Sequence, residues 1–229
     1  MQDGQVAGAA APRKHVDSRY IGDLLGCYIL GGTTKVYACR ARSISAEQAV
    51  IDAPVMGEPE QKVTVRFDHL GLLKGHVADG RVDGFSIVFD MSDDERMRLA
   101  ARIDWMKRYS LKTTVDRREH KRILPRNPHA KMLVGGQKPM NCLVIDVSQS
   151  GAALSAELTP ELGTPLALGT LLAKVVRHFE SGFAVQFAQL QDLKRVEEHM
   201  AVTTPEEKAR ALREVWPAVM AAQGQAAEL

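Results

Sequence analysis

Short apolar runs, separated by turn-forming residues, recur along most of this chain. In the first half they are CYIL, TKVYACRAR, QAVIDA, QKVTVRF, GLLKGHVA and GFSIVFD, broken by stretches such as GGTT and MGEPEQ. Runs of strand length at this spacing predict a small β barrel or sandwich. A helical period follows. Ser92-Asp93-Asp94-Glu95 has the form of a capping box, in which Ser92 caps and Glu95 reaches back. Leu99, Ile103 and Met106 then recur at helical spacing among Arg96, Arg98 and Arg102, which predicts one packed and one solvated face. The polar, basic stretch SLKTTVDRREHKRILPRNP reads as an interdomain link. Strand-like patterning resumes at residue 129 with HAKMLV, NCLVIDV, AALSAEL, TPLALG, TLLAKVVRHF and GFAVQF, and DLKRVEEHM then reads as helix. A last helix is expected from Thr204-Pro205-Glu206-Glu207 to about Trp216, with Pro217 ending or kinking it.

The two strand-rich halves resemble each other. Gly84-Phe85-Ser86-Ile87-Val88-Phe89 matches Gly182-Phe183-Ala184-Val185-Gln186-Phe187 at an offset of 98. At that offset Gly71 falls on Gly169, Leu73 on Leu171 and Val77 on Val175. Tandem duplication of one β-barrel-plus-helix unit accounts for this economically.

Charge narrows the function. The formal net charge of +2 leaves no polycation to coat nucleic acid or a membrane, so any anion must be met by a local cluster. From 117 to 131 six Lys or Arg stand with a single acid, Glu119. Pro125 and Pro128 keep that segment extended, so Arg122 and Arg126 can approach a ligand from different directions. Arginine takes guanine O6 and N7 together, forms bidentate bonds to phosphate and stacks on a purine. Downstream, Asp146-Val147-Ser148-Gln149-Ser150-Gly151 adds a carboxylate that accepts from the N–H edge of guanine and a hydroxyl that donates or accepts. Strand alternation predicts Asp146 and Ser148 on one face with Val147 turned to the core. Gly151 allows a positive φ or a close backbone approach.

Arg122-x-x-x-Arg126 before a first strand, followed by Asp146-x-Ser148-x-x-Gly151 one hairpin later, resembles the PilZ family over about residues 117–200. The resemblance implies a six-stranded barrel with a trailing helix and a cytoplasmic receptor for cyclic di-GMP. By it, Arg122 and Arg126 hold phosphates and guanine faces, Asp146, Ser148 and Gly151 line the guanine edge, and Lys121 and Arg118 flank the site. Arg118-x-x-x-Arg122 fits the same spacing, and the Arg122 frame is preferred because Pro125-Arg126 adjoins the strand. The first half then reads as a PilZ-like barrel without the site. With Ser45 aligned on Ser148, Ser43 stands for Asp146 and Gln48 for Gly151, while Arg13 and Arg19 lack the four-residue spacing.

The expected fold is therefore mainly β with helices: two six-stranded PilZ-like barrels in tandem, each followed by a helix, plus a C-terminal helix. The expected boundaries are a mobile arm (1–18), a degenerate barrel (19–91), helix and linker (92–116), the ligand-binding domain (117–200) and the C-terminal helix (201–229). The arginines lie on the link, taken as mobile, whereas the Asp/Ser motif is fixed on the second barrel. A ligand held by both would change the domain arrangement or partner binding.

Other classes fit less well. Cys27, Cys39 and Cys142 are scattered and sit in apolar runs, so they read as buried reduced thiols, and neither metal nor cofactor is expected. His120, His129 and His178 accompany no nucleophile motif, so catalysis is not expected. Aromatics are only 5%, too few to supply a stacking platform near the basic run, so DNA is not expected as a partner. No apolar run has the length of a membrane span, and the opening residues lack a signal-peptide core. The competing reading is a PilZ-like adaptor that binds a protein partner and no nucleotide. The C-terminal helix has two open roles, packing on a barrel or pairing subunits as a homodimer.

Overall fold

The structure, a computed structural model, describes residues 19–109, 122–135 and 137–200. Its first six strands are β1 (Tyr20–Leu30), β2 (Tyr37–Ile44), β3 (Gln48–Asp52), β4 (Lys62–Phe67), β5 (Gly71–Arg81) and β6 (Gly84–Phe89). They pair antiparallel in the order β1-β2-β3-β6-β5-β4, and β1 pairs in turn with β4 to close a barrel. The alternation seen in sequence becomes inside and outside: along β4, Val63, Val65 and Phe67 are buried between the more exposed Lys62, Thr64 and Arg66.

Helix α1 (Asp93–Tyr109) follows. Its capping box forms as expected, the Ser92 N–H donating to Glu95 Oε2 at 2.9 Å and the Glu95 N–H to Ser92 Oγ at 3.4 Å. Leu99, Ile103 and Met106 are buried in the first barrel's core cluster.

The second barrel is built from β7 (His129–Val134), β8 (Met140–Val147), β9 (Gly151–Ala156), β10 (Pro165–Leu168), β11 (Leu171–Phe179) and β12 (Gly182–Phe187). It closes in the same strand order as the first. The sequence-matched positions hold matched places. Leu73 and Leu171, Val77 and Val175, and Phe85 and Phe183 are all buried. Gly71 and Gly169 both have positive φ, at 86° and 58°. A Cβ on Gly84 or Gly182 would lie about 2 Å from a carbonyl oxygen of the neighbouring strand (1.8 Å from Ile51, 2.0 Å from Leu154).

One element is shorter than the periodicity predicts. DLKRVEEHM begins as turn, and only α2 (Val196–Met200) is helical, with Val196 and Met200 packed on the second core. The Asp192 carbonyl accepts from the Arg195 and Val196 N–H groups, closing the turn that leads into α2. The expected arm (1–18), most of the linker and the C-terminal helix lie outside the described residues. Between the barrels, the Ala38 N–H donates to the buried Ser155 Oγ at 3.0 Å, the Lys35 ammonium meets the Glu157 carbonyl, and Arg66 pairs with Glu180 at 3.5 Å.

Candidate functional site

Residues 123–128 of the basic run lie beside β8. Ile123 and Val147 form an antiparallel bridge, with the Ile123 N–H on the Val147 carbonyl at 2.8 Å and the reverse bond at 3.0 Å. Five residues on, the Pro128 carbonyl accepts from the Val144 N–H at 2.6 Å. The expectation of a mobile link is thus corrected for residues 123–128, whose backbone is hydrogen-bonded to the second barrel at Ile123 and Pro128. Next to the bridge, Arg122 Nη1 donates to both oxygens of Asp146, at 3.1 and 3.0 Å. The side chains are 33% and 23% exposed, so this ion pair is worth only about 1 kcal/mol. It holds the guanidinium in place without resisting exchange for a stronger partner.

Beyond β8 the chain turns. The Ser148 N–H donates to the Gly151 carbonyl at 2.8 Å and its hydroxyl to the same oxygen at 3.2 Å. Plain alternation fails here, because Val147 and Ser148 are both buried; Asp146 stays partly exposed just after a register shift in the β8–β9 pairing. The first barrel makes the same turn at the position matched from sequence, the Ser45 N–H donating to the Gln48 carbonyl at 2.8 Å. Since Gln48 serves there, the turn itself does not demand glycine. Gly151 is required by close approach: a Cβ would lie 2.1 Å from the Val185 carbonyl oxygen on β12.

Arg122, Ser148 and Gly151 line one open cleft of about 390 Å³, with Ser150, Arg177 and Gln186. Asp146 joins them through Arg122. The Arg126 side chain is exposed and is not among the lining residues, and Arg118 and Lys121 lie outside the described residues. Sequence reasoning missed Arg177. A β-bulge between Val175 and Arg177 breaks the alternation of β11 and leaves Val176 and Arg177 both exposed toward the cleft. Nothing in KVVRHF announces a bulge, because it arises from pairing with β12.

The Arg126 backbone is held from both sides. Its N–H donates to Glu197 Oε1 of α2 at 3.2 Å, and its carbonyl accepts from Arg40 Nη2 of β2 at 3.1 Å. Arg40 Nη1 donates to the neighbouring Pro125 carbonyl at 2.6 Å. Around Arg40 lies a buried charge cluster: Asp52 takes a 2.6 Å hydrogen bond from Arg42 and has His129 of the second barrel at 3.5 Å. Burial would raise the Asp52 carboxyl, and His129 and Arg42 outweigh it, so it titrates below the ordinary aspartate value.

Residues 116–201 match the family profile described as PilZ domain. This segment is a PilZ domain. Its described part comprises the segment beside β8, the second barrel and α2. No curated protein matches the chain. Similar solved structures include Borreliella burgdorferi PlzA in complex with c-di-GMP, at 12% identity over 79% of this chain and 88% of that one, with a TM-score of 0.25. The Bacillus subtilis inhibitor of motility MotI/DgrA is 13% identical over 84% of this chain and 97% of that one, with a TM-score of 0.25. Escherichia coli YcgR in complex with c-di-GMP is 10% identical over 90% and 88%, with a TM-score of 0.24. The assignment of the PilZ domain rests on the sequence match. Among the described residues no group of three or more His, Cys, Asp or Glu could hold a metal ion, and no helix is long and apolar enough to cross a membrane.

Proposed function

We propose that the PilZ domain binds cyclic di-GMP in the cleft lined by Arg122, Ser148 and Gly151. The observation that carries this reading is the convergence of the two separated motifs, with Arg122 paired to Asp146 beside the Ser148–Gly151 turn. Each ligand contact follows from the chemistry in place. Arg122 exchanges a partly solvated carboxylate for phosphate or a purine face, forming charge-assisted bonds of about 1.5–3 kcal/mol. Asp146, released by that exchange, accepts from the guanine N–H edge. Gly151 keeps the cleft wall low, and Arg177 stands across the cleft on β11. Arg126, whose guanidinium takes no partner among the described residues, closes on the ligand from the solvent side. Arg118 and Lys121 extend the positive field along the segment that leads into Arg122.

The first barrel acts as a degenerate PilZ-like unit that receives the signal. Binding that reorganises Arg122 and Arg126 pulls on a segment bonded to both barrels, and so alters their arrangement or a protein-binding surface. The adaptor alternative would bind its partner without nucleotide. Nuclear magnetic resonance of the labelled protein separates the two. Adding cyclic di-GMP is expected to shift the amides of Arg122, Ser148, Ser150, Gly151 and Arg177. Unchanged spectra at saturating ligand, or shifts confined to the first barrel, would defeat the proposed site.

A further inference from the structure

We propose that Arg40, from the first barrel, is a positioning residue of the PilZ ligand site, so that the site is complete only when both barrels are docked. This rests on the cyclic di-GMP reading above for its ligand, and on geometry for the rest.

Arg40 is 2% exposed, on β2. A buried arginine beside two carboxylates would ordinarily turn its terminal nitrogens to them. Here only Nε faces the carboxylates of its own barrel, 3.4 Å from Asp23 and 3.8 Å from Asp52, and it makes no hydrogen bond. Both terminal nitrogens cross to the second barrel's segment, onto the Pro125 and Arg126 carbonyls. Those carbonyls belong to the residues that set where the Arg126 side chain leaves the backbone. Proline has no N–H with which to anchor the segment itself, and Glu197 holds only the Arg126 N–H. Without Arg40 the 124–127 stretch keeps the Ile123 bridge at one end and Pro128 at the other, and its middle loses two charge-assisted bonds. The carboxylate cluster has a corresponding role, since Asp23 and Asp52 keep a buried guanidinium charged and in place.

The role makes a positional demand that a merely structural arginine does not. Loosening 124–127 lowers the fraction of molecules with Arg126 correctly placed, and apparent affinity falls in proportion to that fraction. The test uses the full chain with Arg40→Ala, Arg40→Lys, Arg122→Ala and, as a control, Arg66→Ala, which removes an exposed interbarrel pair away from the segment. Calorimetric titration with cyclic di-GMP is expected to show Arg40→Ala weakened about tenfold, Arg40→Lys in between, and Arg66→Ala like wild type. Hydrogen exchange without ligand is expected to speed up at the Arg126 amide in Arg40→Ala, with the strands of both barrels still protected. Unchanged affinity and unchanged exchange in Arg40→Ala would overturn the proposal, and so would loss of protection throughout both barrels in Arg40→Ala and Arg40→Lys alike. Failure of wild type to bind would instead remove the cyclic di-GMP reading, and the exchange experiment would still decide whether Arg40 holds the segment.

Discussion

At the scale of single residues, backbone approach and burial decide more than residue type. Gly151 is the plainest case: the matching turn in the first barrel folds with Gln48, so the glycine answers to β12 and not to the turn. Gly151→Ala must push β9 from β12 or distort the turn, an overpacking cost of about 1–3 kcal/mol that denaturant unfolding should read as a lowered midpoint for the second barrel. A midpoint equal to wild type would mean that the strands yield freely. The thiols divide in the same way. Burial pushes the Cys142 thiol up to about 12 and raises Cys39 well above its usual value, whereas Cys27 is only half-buried. Thiolate is the reactive form, so in the native protein at pH 8 iodoacetamide should label Cys27 first. Labelling of Cys39 and Cys142 should require denaturant or far more alkaline solution. Rapid native labelling of Cys142, read by mass spectrometry of its peptide, would contradict the burial described.

At the scale of elements, helix α1 seals the first barrel with three side chains and a capping box. Ile103 is fully buried there, so Ile103→Ala should cost about 2–5 kcal/mol. Exposed Met97 on the same helix should tolerate alanine with little change in the thermal midpoint. Equal effects from the two would mean that the helix does not pack as described. The strands and this helix were legible in the sequence because each has a period, two for the strands and about 3.6 for the helix. The repeat was legible because glycines and aromatics mark the same steric positions in both barrels, as Gly84 and Gly182 do. What escaped reading came from tertiary pairing. The bulge that exposes Arg177 and the burial of Ser148 depend on neighbours remote in sequence. Of the candidate site, Arg122, Asp146, Ser148 and Gly151 were readable from their spacing. The clamp by Arg40 was not, because an arginine in a strand of the first half carries no mark of the second.

At the scale of the molecule, the two barrels are joined by polar contacts that include those of Arg40 with Pro125 and Arg126 and of Asp52 with His129. Asp52 titrates low, so its own negative charge persists above the ordinary aspartate range and is lost as pH falls through its depressed value. On the proposed function, a ligand that repositions Arg126 acts on a residue whose carbonyl is held from the first barrel. Small-angle scattering at neutral pH should give different profiles with and without cyclic di-GMP. Superimposable profiles would eliminate a switch in domain arrangement and leave a local change of surface. The central claim, that this cleft is a cyclic di-GMP site, is tested most directly by titration calorimetry of wild type and of Arg122→Ala/Arg126→Ala, with guanosine monophosphate as the control ligand. The account predicts saturable binding of cyclic di-GMP by wild type, much weaker or no binding of the monophosphate, and loss of binding in the double variant. A folded wild type that binds no cyclic di-GMP, or a double variant that binds it as tightly as wild type, would contradict it.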